Sequence, residues 1–388
     1  MKFVFYANTD WYLYNFRLST ALQLKEEGHE VVMLSPPGEF GDRFAGHGMR
    51  WVRLSMDRAS LNPVREALML RQLVGLLKVE RPDLLHNFTV KCAVYGAFAA
   101  RAAKVPAVVN AVAGMGYVFS SDRPKARMLR PFIKLLMRGT LGGGHSRLIL
   151  QNPDDVEALT ASRLVPLQKI RLIRSSGVDT TRFSPAASDG AGSSRPLRVL
   201  LAARLLWDKG IREFVHAAEL MKQRGRNVEF VLAGTPDSGN PRSVDGREVE
   251  QWHARGLVSW LGHVEDMPAL LHSVDVMVLP SYYGEGVPRS LIEGAASGLA
   301  LVTTDLPGCR EVVAQHGVDG LHVAPRDANS LAESLALLDD DRDLLRRLGD
   351  CARRKALADF DERVVIGKTL EVYDELLRDM AHVARAAQ

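Results

Sequence analysis

Short apolar strands alternate with helical segments along this chain, and this alternation constrains the fold more than any other feature. In the first half, strands are predicted at residues 2–6, 30–34, 83–85 and 107–110, and helices at 16–27, 64–79 and 94–103. Apolar strands that alternate with amphipathic helices form a parallel sheet with helices on both faces. The first half is therefore predicted to be an α/β domain.

A flexible linker divides the chain. Residues 185–196 (PAASDGAGSSRP) are rich in Ala, Ser, Gly and Pro, the composition of a linker. The alternation then restarts, with strands predicted at 197–203, 228–233, 274–279 and 300–304 and helices at 211–224 and 288–297. Two α/β domains are therefore predicted, over residues 1–185 and 196–363, followed by a C-terminal helix.

Composition narrows the class of protein. Apolar residues make up 46% and charged residues 25% of the 388 residues, as in a soluble globular protein. No apolar run is long enough to span a bilayer, and the apolar stretch at the N-terminus is too short for a secretory signal. The three cysteines lie far apart in the sequence. We therefore expect a cytoplasmic protein without a disulfide or zinc framework.

Charge is distributed unevenly between the two halves. Residues 1–185 hold 26 Lys and Arg against 15 Asp and Glu, whereas the remainder is acidic. A basic half indicates an anionic partner, which could be nucleic acid, a lipid headgroup layer or a diphosphate substrate. No interleaved aromatic residues or nucleic-acid-binding motif accompanies the basic residues, so nucleic acid is not expected.

One predicted strand end in the second half carries two cations. Arg204 follows the strand that ends near Ala203, and Lys209 opens the next helix. Ligands of open α/β sheets bind beyond the carboxyl ends of the strands. Two cations and the free N–H groups of a helix start suit a diphosphate. Two solvent-exposed loop cations would give the same pattern, so this segment alone does not decide between them.

Another strand end carries two acids. Glu285 and Gly286 lie on a loop, Pro288 begins a helix, and Glu293 lies about one and a half turns into it. A loop carboxylate and a helix carboxylate can contact different parts of an extended ligand, and the second could accept hydrogen bonds from two ribose hydroxyls. Alternatively, both acids could be ordinary surface residues. The closely spaced glycines and proline around Glu285 make this alternative less favourable.

Together these segments resemble the donor site of the retaining family 4 glycosyltransferases, which have the GT-B fold. Further matching segments are residues 151–155 (QNPDD), 176–179 (SGVD) with Phe183, and 304–311 (TDLPGCRE). Three more segments, 15–17 (NFR), 86–89 (HNFT) and 114–117 (GMGY), resemble a narrower subgroup. That subgroup adds N-acetylhexosamines or related sugars to polyprenyl-diphosphate-linked acceptors in bacterial glycan assembly.

The resemblance implies an architecture and a set of roles. Two Rossmann-like domains would face each other across a cleft, and a helix of about residues 364–388 would return to the first, acceptor-binding domain. In the second, nucleotide-sugar-binding domain, Arg204 and Lys209 would hold the UDP diphosphate, Glu293 would bind the ribose, and Glu285 would lie beside the donor sugar. The other substrate-binding positions would be Gly286, Val287, Asn8, Arg17, His86, Asn110, Gly114 and Gly116.

Two positions depart from the family pattern. Residues 7–11 (ANTDW) contain no glycine where many members have a Gly-rich loop, so close approach of this backbone to a diphosphate is not expected. Asn110 stands where several relatives have a histidine near the reacting sugar, and an amide cannot act as a general base. His86, predicted to end a strand, is either an acceptor contact or a buried histidine with satisfied hydrogen bonds.

Residues 122–138 are the best candidate for a membrane-binding helix. Apolar residues recur at 128, 129, 132, 133 and 136. The basic residues are Arg123, Lys125, Arg127, Arg130, Lys134 and Arg138. A basic amphipathic helix is typical of a segment at an anionic bilayer surface, although an ordinary surface helix has the same period. We expect a peripheral protein on the inner face of the cell membrane.

Three functions remain open from the sequence. The first is a retaining glycosyltransferase that uses a UDP-sugar donor and a lipid-linked saccharide acceptor. A UDP-sugar 2-epimerase would share the architecture but need no acceptor, and the third is a non-catalytic nucleotide-sugar-binding protein. The dinucleotide glycine fingerprint, the P-loop and a strand-end Asp-x-Asp are all absent, so we expect neither a cofactor nor a metal ion.

Overall fold

The chain forms two compact units. The computed structural model describes residues 1–57, 60, 62–114, 137–143, 145–186, 195–237, 239–284 and 286–386. The first unit combines Met1–Ser176 with Val365–Gln388, and the second is Gly177–Val364. Each unit is built around one sheet whose strand pairs are all parallel. The predicted α/β class is therefore confirmed.

The first unit contains a seven-stranded sheet in the order β3-β2-β1-β4-β5-β6-β7. The strands are β1 (Lys2–Tyr6), β2 (Glu30–Ser35), β3 (Arg50–Arg53), β4 (Leu84–Phe88), β5 (Ala107–Val112), β6 (Ser146–Leu150) and β7 (Ile170–Leu172). The helices in its N-terminal part are α1 (Asp10–Glu26), α2 (Pro63–Glu80), α3 (Val90–Ala103) and α4 (Pro153–Ala161). Phe3 and Phe5 pack on one face of the sheet, whereas Val4 and Tyr6 pack on the other.

The second unit contains a six-stranded sheet in the order β10-β9-β8-β11-β12-β13. The strands are β8 (Leu197–Ala202), β9 (Val228–Ala233), β10 (Ser259–Gly262), β11 (Val276–Leu279), β12 (Ala300–Thr304) and β13 (Leu321–Val323). The helices are α5 (Ile211–Gln223), α6 (Gly246–Ala254), α7 (Met267–His272), α8 (Arg289–Ala296), α9 (Cys309–Val312), α10 (Ala328–Asp340), α11 (Arg342–Lys355) and the start of α12 (Glu362–Ala386). Apolar cores cover both faces of the sheet.

Both sheets reverse their strand order beside the first strand of the unit. β1 lies between β2 and β4, and β8 lies between β9 and β11. A sheet of this kind has a crevice at the carboxyl ends of the two strands that flank the reversal. The loops that follow β1 and β4, and those that follow β8 and β11, therefore lie where each unit is best able to bind a ligand.

The chain passes between the units after Ser176. Residues 177–185, which the sequence analysis assigned to the first domain, therefore belong to the second unit. They are held there because the Val178 N–H donates to the Phe360 carbonyl and the Glu362 N–H donates to the Val178 carbonyl, both at 2.9 Å. The boundary predicted at 185–196 therefore falls within the range of the second unit, and residues 187–194 lie outside the described residues.

Helix α12 returns to the first unit, as predicted. Its residues from Val365 onward belong to that unit, and Tyr373 is buried in the same core as β1. Arg147 of β6 donates to Glu375 Oε1 at 2.8 Å, and Arg171 of β7 donates to Glu375 Oε2 at 2.8 Å. Ionic contacts therefore join α12 to β6 and to the edge strand β7 of the first sheet.

A buried carboxylate at the start of α12 gives a pH-dependent stability prediction. Hydrogen bonds from Arg363 and Thr180 lower the pKa of Asp361 to about 2. A carboxylate whose pKa is lowered by folding stabilises the protein above its unfolded pKa, and this contribution is lost as the pH falls towards 2. We expect Asp361→Asn to reduce the free energy of unfolding by about 1–2 kcal/mol at pH 7.

Urea unfolding between pH 3 and pH 7 measures the difference in the free energy of unfolding between the wild type and Asp361→Asn. This difference should be largest at neutral pH and should become smaller below about pH 4. Asp343→Asn removes an exposed ion pair with Arg346 and should change stability by less than about 0.5 kcal/mol. A difference for Asp361→Asn that stays constant across this range would contradict the assignment.

Candidate functional site

The loop after β8 contacts the loop after β11 at the carboxyl edge of the second sheet. The first loop ends in a 3-10 turn, Trp207–Lys209, and Gly210 then leads into α5 with a φ of +76°. A side chain at Gly210 would lie 2.3 Å from the carbonyl oxygen of Pro280. Only glycine permits this approach. The loop that carries Arg204 and Lys209 therefore lies beside the loop predicted to carry the acids.

Arg204 already has an anionic partner. Its side chain is 60% exposed, and its Nη1 lies 2.8 Å from Asp237 Oδ2. Exposed pairs of this kind contribute about 0–1 kcal/mol, so a diphosphate with two negative charges can replace Asp237. Lys209 is half-buried in the 3-10 turn. Both cations lie on a loop at the strand-order reversal, as a diphosphate site requires.

Asp208 fixes the geometry of this edge, which the sequence analysis did not predict. Its backbone carbonyl accepts hydrogen bonds from the Ser281 hydroxyl and the Tyr282 N–H, both at 3.0 Å. Its carboxylate forms an ion pair with Arg242. Asp208 thus joins the loop after β8 to the loop after β11 and to the segment that follows β9. No spacing in the sequence relates Asp208 to Arg242.

The loop after β11 is anchored at both ends. Thr304 donates to the Ser281 carbonyl at 2.6 Å, and the Val287 side chain is buried in the core of the second unit. Gly286 is half-buried between these two points. Glu285, predicted to lie beside the donor sugar, is outside the described residues. The structure therefore constrains the two ends of this loop.

Glu293 lies on α8 as predicted, but it has a partner that the sequence analysis missed. Pro288 is the N-cap of this helix rather than its first residue. Arg289, one turn before Glu293, donates from Nε to Glu293 Oε1 at 2.8 Å. Burial raises the pKa of Glu293, and the charge of Arg289 offsets part of that effect. The i,i+4 spacing of opposite charges was the available signal for this pair.

A small pocket at the carboxyl edge of the first sheet gathers several of the sequence motifs. The lining residues are Arg17, His86, Ala111, Val112, Ile149, Gln151, Ile173, Ser175 and Thr369. Arg17, His86 and Gln151 come from the NFR, HNFT and QNPDD segments. Segments that are far apart in the sequence therefore meet at one point of the first unit.

His86 is buried and uncharged in this pocket. It lies within β4, which continues to Phe88, so the prediction that His86 ends the strand is corrected. Its Nδ1 lies 2.5 Å from the Tyr373 hydroxyl. Burial, with a smaller contribution from the charge of Arg17, lowers the pKa of His86 well below its ordinary value. The imidazole is therefore neutral at pH 7.

Asn110 lies outside this pocket. Its side chain is buried and accepts a hydrogen bond from Asn87 Nδ2 at 2.9 Å. In the register of β4 and β5, Asn110 pairs with Asn87, whereas His86 pairs with Val109. Because neighbouring residues of a strand point to opposite faces, the amide pair lies on the other face of the sheet from His86. Asn87 packs there against Gly96 of α3.

The glycine-free loop after β1 is held by a buried carboxylate. Asp10 accepts hydrogen bonds from the N–H groups of Phe40 and Gly41, both at 2.8 Å. Thr9 caps α1 by accepting from the Tyr12 N–H at 3.1 Å, and this explains why α1 begins at Asp10 rather than near residue 16. Asn8 is half-buried on the same loop.

The remaining predicted positions divide into two groups. Gly114 adopts a φ of +78°, and Arg138 is exposed. The positions outside the described residues are Gly116, Arg123, Lys125, Arg127, Arg130 and Lys134. Within the described ranges, no group of three or more His, Cys, Asp or Glu side chains could hold a metal ion. Of the helices described there, none has both the length and the apolar character to cross a bilayer.

Both halves of the chain match known protein families. Residues 196–341 match the family described as "Glycosyl transferases group 1", and residues 2–150 match "Glycosyl transferase 4-like". An N,N'-diacetylbacillosaminyl-diphospho-undecaprenol alpha-1,3-N-acetylgalactosaminyltransferase of Campylobacter jejuni is 29% identical over 98% of this chain and 100% of its own length. A UDP-Gal:alpha-D-GlcNAc-diphosphoundecaprenol alpha-1,3-galactosyltransferase of Escherichia coli is 26% identical over 82% of each chain.

Solved structures share the fold at lower identity. A glycosyltransferase from Rickettsia africae superposes with a TM-score of 0.78 at 18% identity, over 97% of this chain and 98% of that one. Anabaena HepE, solved in complex with UDP and glucose, superposes with a TM-score of 0.77 at 19% identity, over 97% of this chain and 100% of that one. These similarities confirm the predicted GT-B fold class.

The contact between Arg204 and Asp237 predicts opposite effects of two substitutions on anion binding. Arg204→Ala should weaken binding of inorganic pyrophosphate about tenfold or more, because it removes charge-assisted hydrogen bonds. Asp237→Asn should tighten binding by about two- to fivefold, because it removes a competing carboxylate. Isothermal titration calorimetry at low salt measures both affinities.

The matched control is Asp340→Asn, which removes one of the two carboxylates paired with Arg226 in the same unit and should leave the affinity unchanged. Equal affinity for the wild type and Arg204→Ala would show that this loop does not bind the anion.

Proposed function

Because this chain belongs to the glycosyltransferases, we propose that it is a retaining enzyme that moves a sugar from a UDP-sugar to a polyprenyl-diphosphate-linked saccharide. An N-acetylhexosamine is the proposed donor sugar. The observation that carries the proposal is the pair of cations, Arg204 and Lys209, beside the loop that leads to the Glu293 helix, at the strand-order reversal of the second sheet. Two relatives that match 98% and 82% of this chain, and whose names specify diphospho-undecaprenol-linked acceptors, support the acceptor class.

Arg204 and Lys209 would act on the leaving group. As the bond between the sugar and the diphosphate breaks, negative charge develops on the diphosphate, and fixed cations stabilise that charge most when it is greatest. Arg204 exchanges Asp237 for the diphosphate in this step. The carbonyl of Asp208 keeps the loop after β11 in place, so the cations and the acids do not have to be assembled when the donor binds.

Glu293 would bind the ribose. Arg289 holds one carboxylate oxygen at 2.8 Å and so orients the group towards a pair of hydroxyl donors. Because the ribose does not react, this contact is similar in the ground state and the transition state, and its loss weakens binding more than turnover. Glu285 is proposed to contact the donor sugar because of the sequence resemblance.

Retention of configuration does not require a strong protein base here. In front-face transfer, the acceptor oxygen attacks the carbon that the diphosphate leaves, and the departing diphosphate oxygen takes the acceptor proton. His86 is neutral and buried, and its Nδ1 is engaged by Tyr373. We therefore assign His86 to binding rather than to proton transfer.

We infer that transfer needs no divalent cation. Metal-dependent glycosyl transfer uses the ion to offset diphosphate charge, and in this chain Arg204 and Lys209 already stand at that position. Activity should therefore persist in EDTA.

The proposed acceptor class is lipid-linked, which supports a location at a membrane surface. We propose that residues 122–138 bind the anionic inner face of the cell membrane. Two observations support the proposal: Arg138, at the described end of this segment, is exposed, and Arg101 of α3 donates to the neighbouring Gly139 carbonyl at 3.4 Å. Arg101 and Lys104 are exposed, and Phe98 is 50% exposed. Each basic residue near such a surface contributes about 1 kcal/mol.

UDP release from a panel of UDP-sugars tests the proposed reaction. Release should require a short polyprenyl-diphosphate-linked acceptor, and Arg204→Ala or Lys209→Ala should lower kcat about 10²–10³-fold. Glu293→Gln should mainly weaken UDP binding, by about tenfold. Consumption of a UDP-sugar without acceptor would instead favour the 2-epimerase. Activity that depends fully on Mg²⁺ or Mn²⁺ would contradict the proposal that Arg204 and Lys209 take the place of a metal ion.

Co-sedimentation with vesicles tests the membrane proposal. Binding to anionic vesicles should exceed binding to neutral ones and should fall as salt rises, because the Debye length is about 8–10 Å at 0.10–0.15 M salt. Changing Arg127, Arg130 and Lys134 to Glu should reduce it. Arg346→Glu alters an exposed residue of the second unit and should have no effect. Equal binding to both vesicle types would exclude an electrostatic membrane contact.

A further inference from the structure

Arg17 is a buried cation that has no acidic partner among the residues that the structure describes. The residue is 6% exposed, its Nη2 donates to the Tyr12 hydroxyl at 3.1 Å, and its guanidinium lies 4.5 Å from the centroid of the Phe88 ring. Its Nε is buried without a hydrogen-bond partner. Neither a hydroxyl nor an aromatic face neutralises a full positive charge.

Another buried arginine in the same unit shows how such a charge is normally compensated. The Arg147 side chain is 5% exposed and forms ion pairs with both Glu375 and Asp379. A charge that is buried without a counter-charge costs several kcal/mol. The contrast indicates that the negative charge opposite Arg17 is supplied by a ligand.

His86 presents a second unpartnered donor to the same pocket. Its Nε2 is buried without a partner, and its Nδ1 lies 2.5 Å from the Tyr373 hydroxyl. If Tyr373 donates to Nδ1, one hydrogen bond satisfies both groups and Nε2 carries the imidazole proton. The reverse arrangement would leave the phenol hydrogen buried without an acceptor, which is costly. Tyr373 therefore sets the tautomer in which Nε2 is a donor.

The pocket accommodates one small group. Arg17 and His86 line it together with Gln151, Ser175 and Thr369, and its volume is about that of one water molecule. Two N–H donors and one full positive charge favour a single oxygen that bears negative charge. A whole nucleotide or sugar does not fit in this space, whereas one oxygen of a larger anion does.

We propose that Arg17 and His86 form an oxyanion pocket in the first unit that takes one phosphate oxygen of a diphosphate, with Tyr373 as a positioning residue. The identity of that diphosphate follows from the proposed function: it belongs either to the lipid-linked acceptor or to the UDP-sugar. The C-terminal helix is then part of a binding site, because it supplies both Tyr373 and Thr369 to this pocket.

NMR of the full-length protein labelled with ¹⁵N-histidine tests the proposal without any change in the pocket. The His86 signals, assigned with His86→Gln, should show a proton on Nε2. They should shift when inorganic pyrophosphate or farnesyl diphosphate is added to protein saturated with UDP. A shift under these conditions identifies an acceptor-type diphosphate. A shift produced by UDP itself identifies the donor diphosphate and also supports the oxyanion pocket.

Calorimetry with variants gives an independent readout. With UDP saturating, Arg17→Gln should weaken farnesyl diphosphate binding at least tenfold, and Arg17→Lys should restore part of it. Tyr373→Phe should weaken binding about threefold and move the imidazole proton partly to Nδ1, an effect that a purely structural role would not produce. Arg53→Gln, which alters an exposed basic residue of the same unit outside the pocket, should change neither readout.

Two outcomes would overturn the proposal. His86 signals that respond to neither pyrophosphate, farnesyl diphosphate nor UDP would show that the pocket holds only a structural water. If the His86 proton of the wild type were found on Nδ1, Nε2 could not donate a hydrogen bond to the phosphate oxygen. Failure of the proposed function is distinguishable, because it would appear as absence of acceptor-dependent UDP release, whereas these measurements require no transfer.

Discussion

The parallel pairing of β8 with β11 is the constraint on which the second unit depends. Parallel strands share one carboxyl edge, and the order β9-β8-β11 puts the loops after β8 and β11 side by side. The contact of Gly210 with the Pro280 carbonyl leaves no room for a side chain between them. Arg204 and Lys209, which precede Gly210, are therefore brought beside the loop that follows Pro280 by the sheet itself, whatever ligand is present.

Polar groups of the protein hold the ligand edges of both units. Asp10 binds the N–H groups of Phe40 and Gly41 in the first unit, and the Asp208 carbonyl binds Ser281 and Tyr282 in the second. These contacts satisfy backbone groups that a long loop would otherwise expose. A site built in this way loses little conformational freedom when a ligand binds, which is the physical meaning of preorganisation.

Sequence periodicity predicted the central strands well because they are apolar and buried on both faces. β1, β9 and β12 have the predicted bounds. The prediction missed the edge strands β3, β7, β10 and β13, and edge strands such as β3 and β10 are half-exposed and carry residues such as Arg50 and Ser259. It also missed β6, which lies inside the sheet and is buried throughout. Partners such as Arg242 for Asp208 or Tyr373 for His86 are separated by long stretches of chain, and no local pattern encodes such pairs.

The end of the chain belongs to the chemistry of the first unit as much as to its packing. Arg147 and Arg171 hold Glu375 on α12, and Tyr373, half a turn earlier on that helix, holds the imidazole of His86. A local displacement of α12 would therefore break the contact between Tyr373 and His86 that sets the tautomer of the imidazole. Resemblance to a family can predict His86 and Arg17 as binding positions, but the hydrogen bond of His86 is made with a residue nearly three hundred positions away. For this reason the sequence could predict these positions, whereas the partner of His86 required the structure.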